Sequence, residues 1–153
     1  MNVVEQHIQD VKTKLNYEAI QKALFIQVKK IEKNFTELNK EQIFDFSKDI
    51  HGKDIGFYSK GTEEITGGQK REGDPFTGVD SGDWFKGFFI KVENNALLFG
   101  SSDEEKNSKI FGKNSTWLSK DLFGLTDDNL NLIIKRDLIP FMQLYARKSI
   151  GIE

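Results

Sequence analysis

Along the first forty residues the apolar positions fall at spacings of three and four. Val4, Ile8, Val11 and Leu15 form one run, and Ile20, Ala23, Leu24, Val28, Ile31, Phe35 and Leu38 form a second, with Gln27 on the same stripe. That periodicity predicts two helices, or one interrupted near Asn16, which is placed to cap the second while Glu18 sits in its first turn. Lys22, Lys29, Lys30 and Lys33 then fall on a solvated face.

The pattern changes at Asp49. Between Asp49 and Val79 the glycines Gly52, Gly56, Gly61, Gly67, Gly68, Gly73 and Gly78, with Pro75, exclude any long helix and predict a large, turn-rich excursion. From Trp84 the alternation of Phe85, Phe88, Ile90 and Val92 with polar or glycine positions predicts a strand. Glu93-Asn94-Asn95 supplies a turn, with asparagines suited to the left-handed conformation, and Ala96-Leu97-Leu98-Phe99 returns as the second arm of a β-hairpin. The charged run from Ser101 to Lys109 reads as a solvated loop of mixed sign.

After Gly124, Thr126 is placed to cap a helix that carries Asp127 and Asp128 in its first turn. Leu130, Ile133, Ile134, Leu138, Phe141, Met142 and Tyr145 give this helix a wide apolar face, and Pro140 predicts a kink or a fresh helical start. The order of elements predicts an α+β domain: N-terminal helices and a C-terminal helix packed on a small antiparallel sheet, with a long glycine-rich loop. With 153 residues and no break in composition, residues 1–153 are expected to form a single domain.

Charge and composition narrow the function. Twenty-two basic residues against 24 acidic ones give a net charge of −2, so no field draws the chain to nucleic acid, and sequence-specific nucleic-acid binding is not expected. The absence of cysteine removes disulfides, thiolate metal sites and cysteine nucleophiles together. The start MNVVEQHIQDVKTKL lacks the apolar core of a signal peptide, and no stretch approaches a membrane span, so neither secretion by the usual route nor a membrane partner is expected.

Candidate chemistry is sparse. His7 and His51 lie far apart without a zinc-binding pattern, so no metal and no cofactor are expected. Asp74, Asp80 and Asp83 gather around a glycine-rich turn, where they could meet a hard cation or, like Glu63 with Glu64, form a glycosidase pair; aspartates also close turns through their own side chains. Gly67-Gly68-Gln69-Lys70-Arg71 has neither the GK[ST] ending nor the GxGxxG spacing of phosphate-binding loops. The aromatics Trp84, Phe85, Phe88 and Phe89 fit core and interface burial better than base stacking. No catalytic residue is assigned, and an enzyme is not expected.

Three segments, in order, resemble those of bacteriophage tail-completion, or virion morphogenesis, proteins that join head and tail, especially in phages and prophages of Bacteroidetes. Gly52-Lys53-Asp54-Ile55-Gly56-Phe57-Tyr58-Ser59 with Thr62 is similar to the family's glycine, aromatic, proline-or-serine, threonine segment after the N-terminal helices. Asp80-Ser81-Gly82-Asp83-Trp84-Phe85 with Phe88 resembles the aspartate-threonine-glycine segment that leads into the first strand. Asp121-Leu122-Phe123-Gly124-Leu125-Thr126-Asp127-Asp128 resembles the arginine-or-lysine, phenylalanine-leucine-glycine-leucine, serine-aspartate-glutamate run near the end. Together they cover roughly residues 50 to 140. The stretch from Ser101 to Asn114 departs from the family, whose tyrosine-alanine and histidine-containing segment is reduced here to Phe111-Gly112.

The resemblance implies a non-enzymatic virion protein of the tail or neck, a tail terminator or head-tail adaptor, assembled in the cytoplasm of the bacterial host. It implies a homo-oligomeric ring meeting the tail tube or the head-tail connector, with the loop from Gly61 to Gly78 ordering against one of them. Asp74, Asp80, Gly82, Trp84, Trp117 and Phe123 are the expected interface residues, and on this expectation Trp84→Ala impairs assembly more than folding. The alternative is a small non-catalytic carbohydrate- or protein-binding module on the same scaffold.

Overall fold

The computed structural model describes residues 2–152 and has a mixed α+β architecture with one two-stranded antiparallel sheet among the described residues. The chain divides into two compact units, one made from the two ends, up to Glu32 and from Asn131, and one made from Lys33–Leu130.

The first unit is helical. Helix α1, Val3–Lys14, starts at Asn2, whose side chain accepts from the Glu5 N–H while Glu5 returns a bond to the Asn2 N–H. This reciprocal box satisfies two donors that a helix start leaves open. Helix α2, Tyr17–Lys30, is capped by Asn16 through the Ala19 N–H, so the interruption falls where the sequence places it. The second expected helix is shorter than its periodicity predicts: it ends at Ile31, and α3, Glu32–Phe44, begins afresh. At the other end of the chain, α7, Asp127–Ile133, runs through a π-helical turn, Ile134–Leu138, into α8, Ile139–Ser149. The widened turn accommodates Pro140 in the first turn of α8, where its missing N–H costs least. Tyr145 in α8 donates its hydroxyl to the Lys14 carbonyl at 2.7 Å, fastening the last helix to the end of α1.

The second unit carries the sheet and the turn-rich excursion. Within the excursion lies a short helix, α4, Lys60–Ile65, capped by Ser59 through the Thr62 N–H. Isolated bridges pair Lys48 with Asp54 and Phe57 with Pro75, so much of the segment is pinned by backbone contacts. Helix α5, Asp83–Lys86, follows; Phe85 belongs to it and not to the strand, because Gly82 takes a left-handed conformation (φ 85°) that turns the chain into a helical start. The hairpin then pairs β1, Phe88–Glu93, with β2, Ala96–Ser101. Its two-residue turn holds Asn94 and Asn95 at φ 50° and 59°, the conformation the sequence calls for.

The expected loop from Ser101 to Lys109 is largely helical instead. Helix α6, Glu104–Phe111, is capped by Asp103, which accepts from the Lys106 N–H at 2.9 Å. Its acids lie at the N-terminal end, where the helix dipole favours them, so charges that read as a loop also suit a helix start. Ile110, from the end of α6, is buried in the core of this unit with Ile43, Ile55, Tyr58, Phe76, Trp84, Phe85, Leu118 and Leu122.

Candidate assembly surface

The turn from Gly78 to Asp83 is the centre of the candidate surface. Gly78 has φ 72°, and a Cβ there would come within 2.9 Å of the Trp84 ring and 3.1 Å of Phe85, so only glycine lets the turn lie on the aromatic core. Just beyond it, the Asp80 carboxylate forms ion pairs with both Lys70 and Lys106. The clamp ties the glycine-rich excursion, the turn and α6 together. Partial burial would raise the Asp80 pKa, but hydrogen bonds from Lys106 and Lys70 and their positive charges outweigh it and hold the carboxyl below its ordinary value. Asp83 accepts from Lys86 at 2.8 Å and from the Ser81 hydroxyl at 2.7 Å, which also lowers its pKa.

Asp80 and Asp83 line one open cleft of about 430 Å3 with Asp103, Glu105, Lys106 and Lys109. Asp74 is elsewhere: it closes its own turn by accepting from the Arg71 N–H, and it borders a different recess, beside Phe46 and Tyr58. The three aspartates therefore do not converge. Among the described residues, no group of three or more His, Asp or Glu side chains is arranged to hold a metal ion. Gly67 and Gly68 follow the end of α4 and do not open a helix; the Lys70 beyond them turns its ammonium to Asp80 and lies 5.4 Å from the centre of the Tyr58 ring. His51 faces Asp121 at 3.3 Å, whereas His7 lies in the other unit.

Trp84 does not present its ring to a partner. It is only 2% exposed, its indole N–H donates to the Asn107 side chain at 2.8 Å, and its rings pack against Phe85, Phe88 and Phe123 at 5.0–5.7 Å. The expectation that alanine here would harm assembly more than folding gives way to a core role. Phe123 is half-buried, with Trp84, Phe88 and Phe111 around it, so the Phe111 that stands alone in the divergent segment packs on the family-like corner. Gly82 is half-buried at the start of α5, and Asp74 and Asp80 are exposed. Trp117 is 45% exposed and packs against Tyr58 and Phe76 at 6.3 and 6.2 Å, close over Gly56, where a Cβ would strike the Trp117 carbonyl at 2.7 Å.

Two features beside this surface are missed in the sequence reading. One is the pair Asn39 and Gln42 on α3, which reach across to the Phe123-Gly124 corner; Gln42 accepts from the Thr126 N–H at 2.9 Å and from the Asn129 amide at 3.2 Å. The other is a groove of about 400 Å3 between α3 and α5, with Phe44, Val79, Phe85 and Phe88 among its lining and Lys33, Lys40 and Lys86 at its border. Asn39 and Gln42 fall on the buried stripe of α3 at the spacing of a helical turn, and that is the one clue by which they could have been found.

No protein-family model, curated protein or solved structure matches this chain. Among the described residues, no helix is long and apolar enough to cross a membrane.

Proposed function

We propose that the protein is a structural component of a phage virion, acting at the tail or neck by oligomeric assembly and not by catalysis. The observation that carries this reading is the meeting of the three family-like segments in one core. Ile55 and Tyr58 from the first, Trp84 and Phe85 from the second and Leu122 from the third are buried in the same cluster, and Phe88 and Phe123 pack against it. Backbone bonds tie the first and third segments to the residues just before each other: Ser119 N–H donates to the Ile55 carbonyl at 2.8 Å, and Ile50 N–H to that of Asp121 at 2.9 Å. Segments that resemble a family in order thus also depend on one another in space, which is what a shared fold requires.

The acids of the Asp80 turn are paired with lysines, and that favours a role as a shaped surface over a role in proton transfer. Such a subunit would work geometrically, presenting one face to its neighbour in a ring and another to the tail tube or head-tail connector, after assembly in the host cytoplasm. The test is deletion of the gene from the phage or prophage that encodes it. Unjoined heads and tails, rescued by supplying the protein in trans, are expected; intact infective particles without it would overturn the reading.

A second reading, a small carbohydrate- or protein-binding module, draws on the half-exposed Trp117 beside Tyr58 and Phe76. Glycan binding by the monomer, abolished in Trp117→Ala with the fold intact, would favour it over assembly.

A further inference from the structure

We propose that α4 of one copy seats in the groove between α3 and α5 of the next, with Ile65 as the apolar plug and Glu64 meeting the lysine border. Ile65, the last residue of α4, is 88% exposed within the excursion, with one residue between it and the Gly67-Gly68 turn. Its two acidic neighbours differ. Glu63 accepts from the Glu72 N–H at 2.7 Å and helps fold the loop back, whereas Glu64 is exposed and makes no side-chain hydrogen bond or ion pair among the described residues. The end of α4 therefore offers one large aliphatic group beside one available negative charge.

The groove offers the complement. Phe44, 41% exposed, and the half-buried Val79 and Phe88 give it apolar walls, and Lys33, Lys40 and Lys86 border it. Lys33 and Lys86 already have acidic neighbours in Glu37 and Asp83, while the Lys40 ammonium lies 5.9 Å from the centre of the Phe85 ring, available to a carboxylate that arrives from outside. An apolar plug and an apolar socket at different places on one chain define a head-to-tail contact, which closes into a ring or extends as a filament according to its rotation. Charge complementarity of helix end and border favours a second copy over an unrelated partner as the occupant.

This inference rests on the assembly reading above, and it can fail separately. Two surface variants are made, Ile65→Asp in the plug and Lys40→Glu with Lys86→Glu in the socket; all three side chains are solvent-exposed, and unchanged thermal unfolding verifies the fold. Ile65→Asp alone is expected to self-associate about 10- to 100-fold more weakly than wild type in sedimentation, the loss that follows from one unburied aliphatic side chain, and the socket variant also more weakly than wild type, because its two new carboxylates would meet Glu64 with like charge. Mixed, the two should form dimers and nothing larger, because the Ile65→Asp chain keeps a socket and the socket variant keeps a plug. Because the chain has no cysteine, an Ile65→Cys protein mixed with a Phe44→Cys protein should give a disulfide-linked heterodimer on mild oxidation. Wild-type association unchanged in both variants, or a mixture that stays monomeric, overturns this contact while leaving the deletion test of virion assembly untouched. A wild-type protein that remains monomeric at all concentrations also overturns it.

Discussion

Asn39 holds Gly124 from 85 residues away: its Nδ2 donates to the Gly124 carbonyl at 2.7 Å and to the Leu122 carbonyl at 2.8 Å, and its side chain is fully buried. The corner that carries the final helix is thus fixed to α3 by a side-chain amide. Asn39→Ala leaves the Leu122 carbonyl without this donor and the Gly124 carbonyl with only a 3.4 Å bond from the Gln42 amide, and should destabilise the protein by about 2–3 kcal/mol in chemical denaturation. Asn39→Asp should be worse than alanine, since an ionised carboxylate has no donor and would face two carbonyl oxygens. An Asn39→Ala protein as stable as wild type would show that the amide is not the tie.

Trp84 is expected to act on the fold before anything else. Removing its ring from the packing with Phe85, Phe88 and Phe123 and taking the indole donor from the Asn107 Oδ1 should cost about 3–5 kcal/mol in Trp84→Ala. Trp84→Phe should fall between the two, because it keeps the aromatic contacts and loses the indole donor. Urea titration followed by circular dichroism reads both. A Trp84→Ala protein as stable as wild type would restore the interface role that the resemblance implies for this residue.

Much of the scaffold is legible in the sequence, for reasons that lie in short-range physics. Asn94-Asn95 between alternating apolar arms can hardly be anything but a hairpin, and Thr126 followed by two aspartates marks a helix start, as its hydroxyl contact to the Asn129 N–H bears out. Phe85 misleads because a four-residue helix is shorter than the window in which periods of two and 3.6 separate. Helix α6 is missed because its apolar residues, Ile110 and Phe111, both sit at its end and leave no stripe. The clamp on Asp80 comes from lysines ten residues before it and 26 after it, and the grip on Gly124 from 85 before it. Pairings at such separations leave no periodicity to read, so the candidate surface is much less legible than the elements that frame it.

Gly78 gives a sharper test of the aromatic turn than its neighbours do. Alanine there would hold an L-residue at φ 72° and drive its Cβ into the Trp84 and Phe85 rings, whereas at Gly73, with φ 84°, an added Cβ meets nothing within 4 Å. Gly73→Ala should therefore cost only the backbone strain, about 1–3 kcal/mol, and Gly78→Ala distinctly more. If thermal melting shows the two variants equally destabilised, close packing against the rings is not what requires glycine at position 78.

Acid should release the loop that carries the first family-like segment. Asp49 is buried, and burial alone would raise its pKa from the ordinary 3.8; bonds from the Lys53 N–H, the Ser119 hydroxyl and the His51 N–H, with the charge of His51, carry it below that value instead. Each of the three hydrogen bonds is 2.9 Å long, and together they join the Gly52 turn to the segment before the Phe123 corner. Because the folded carboxyl has the lower pKa, the unfolded chain binds the proton more readily, so the stabilisation is fully present above the ordinary value and drains away as pH falls through the folded one. Asp80, held low by its two lysines, adds to the same limb. Unfolding free energy should thus be level from pH 7 to about 5 as far as these groups are concerned and decline below pH 4. Asp49→Asn should be less stable at pH 7, by about 1–3 kcal/mol, yet show a shallower decline in acid. Parallel acid limbs for wild type and Asp49→Asn in urea titrations across this range would show that the Asp49 carboxylate is not what fastens the loop.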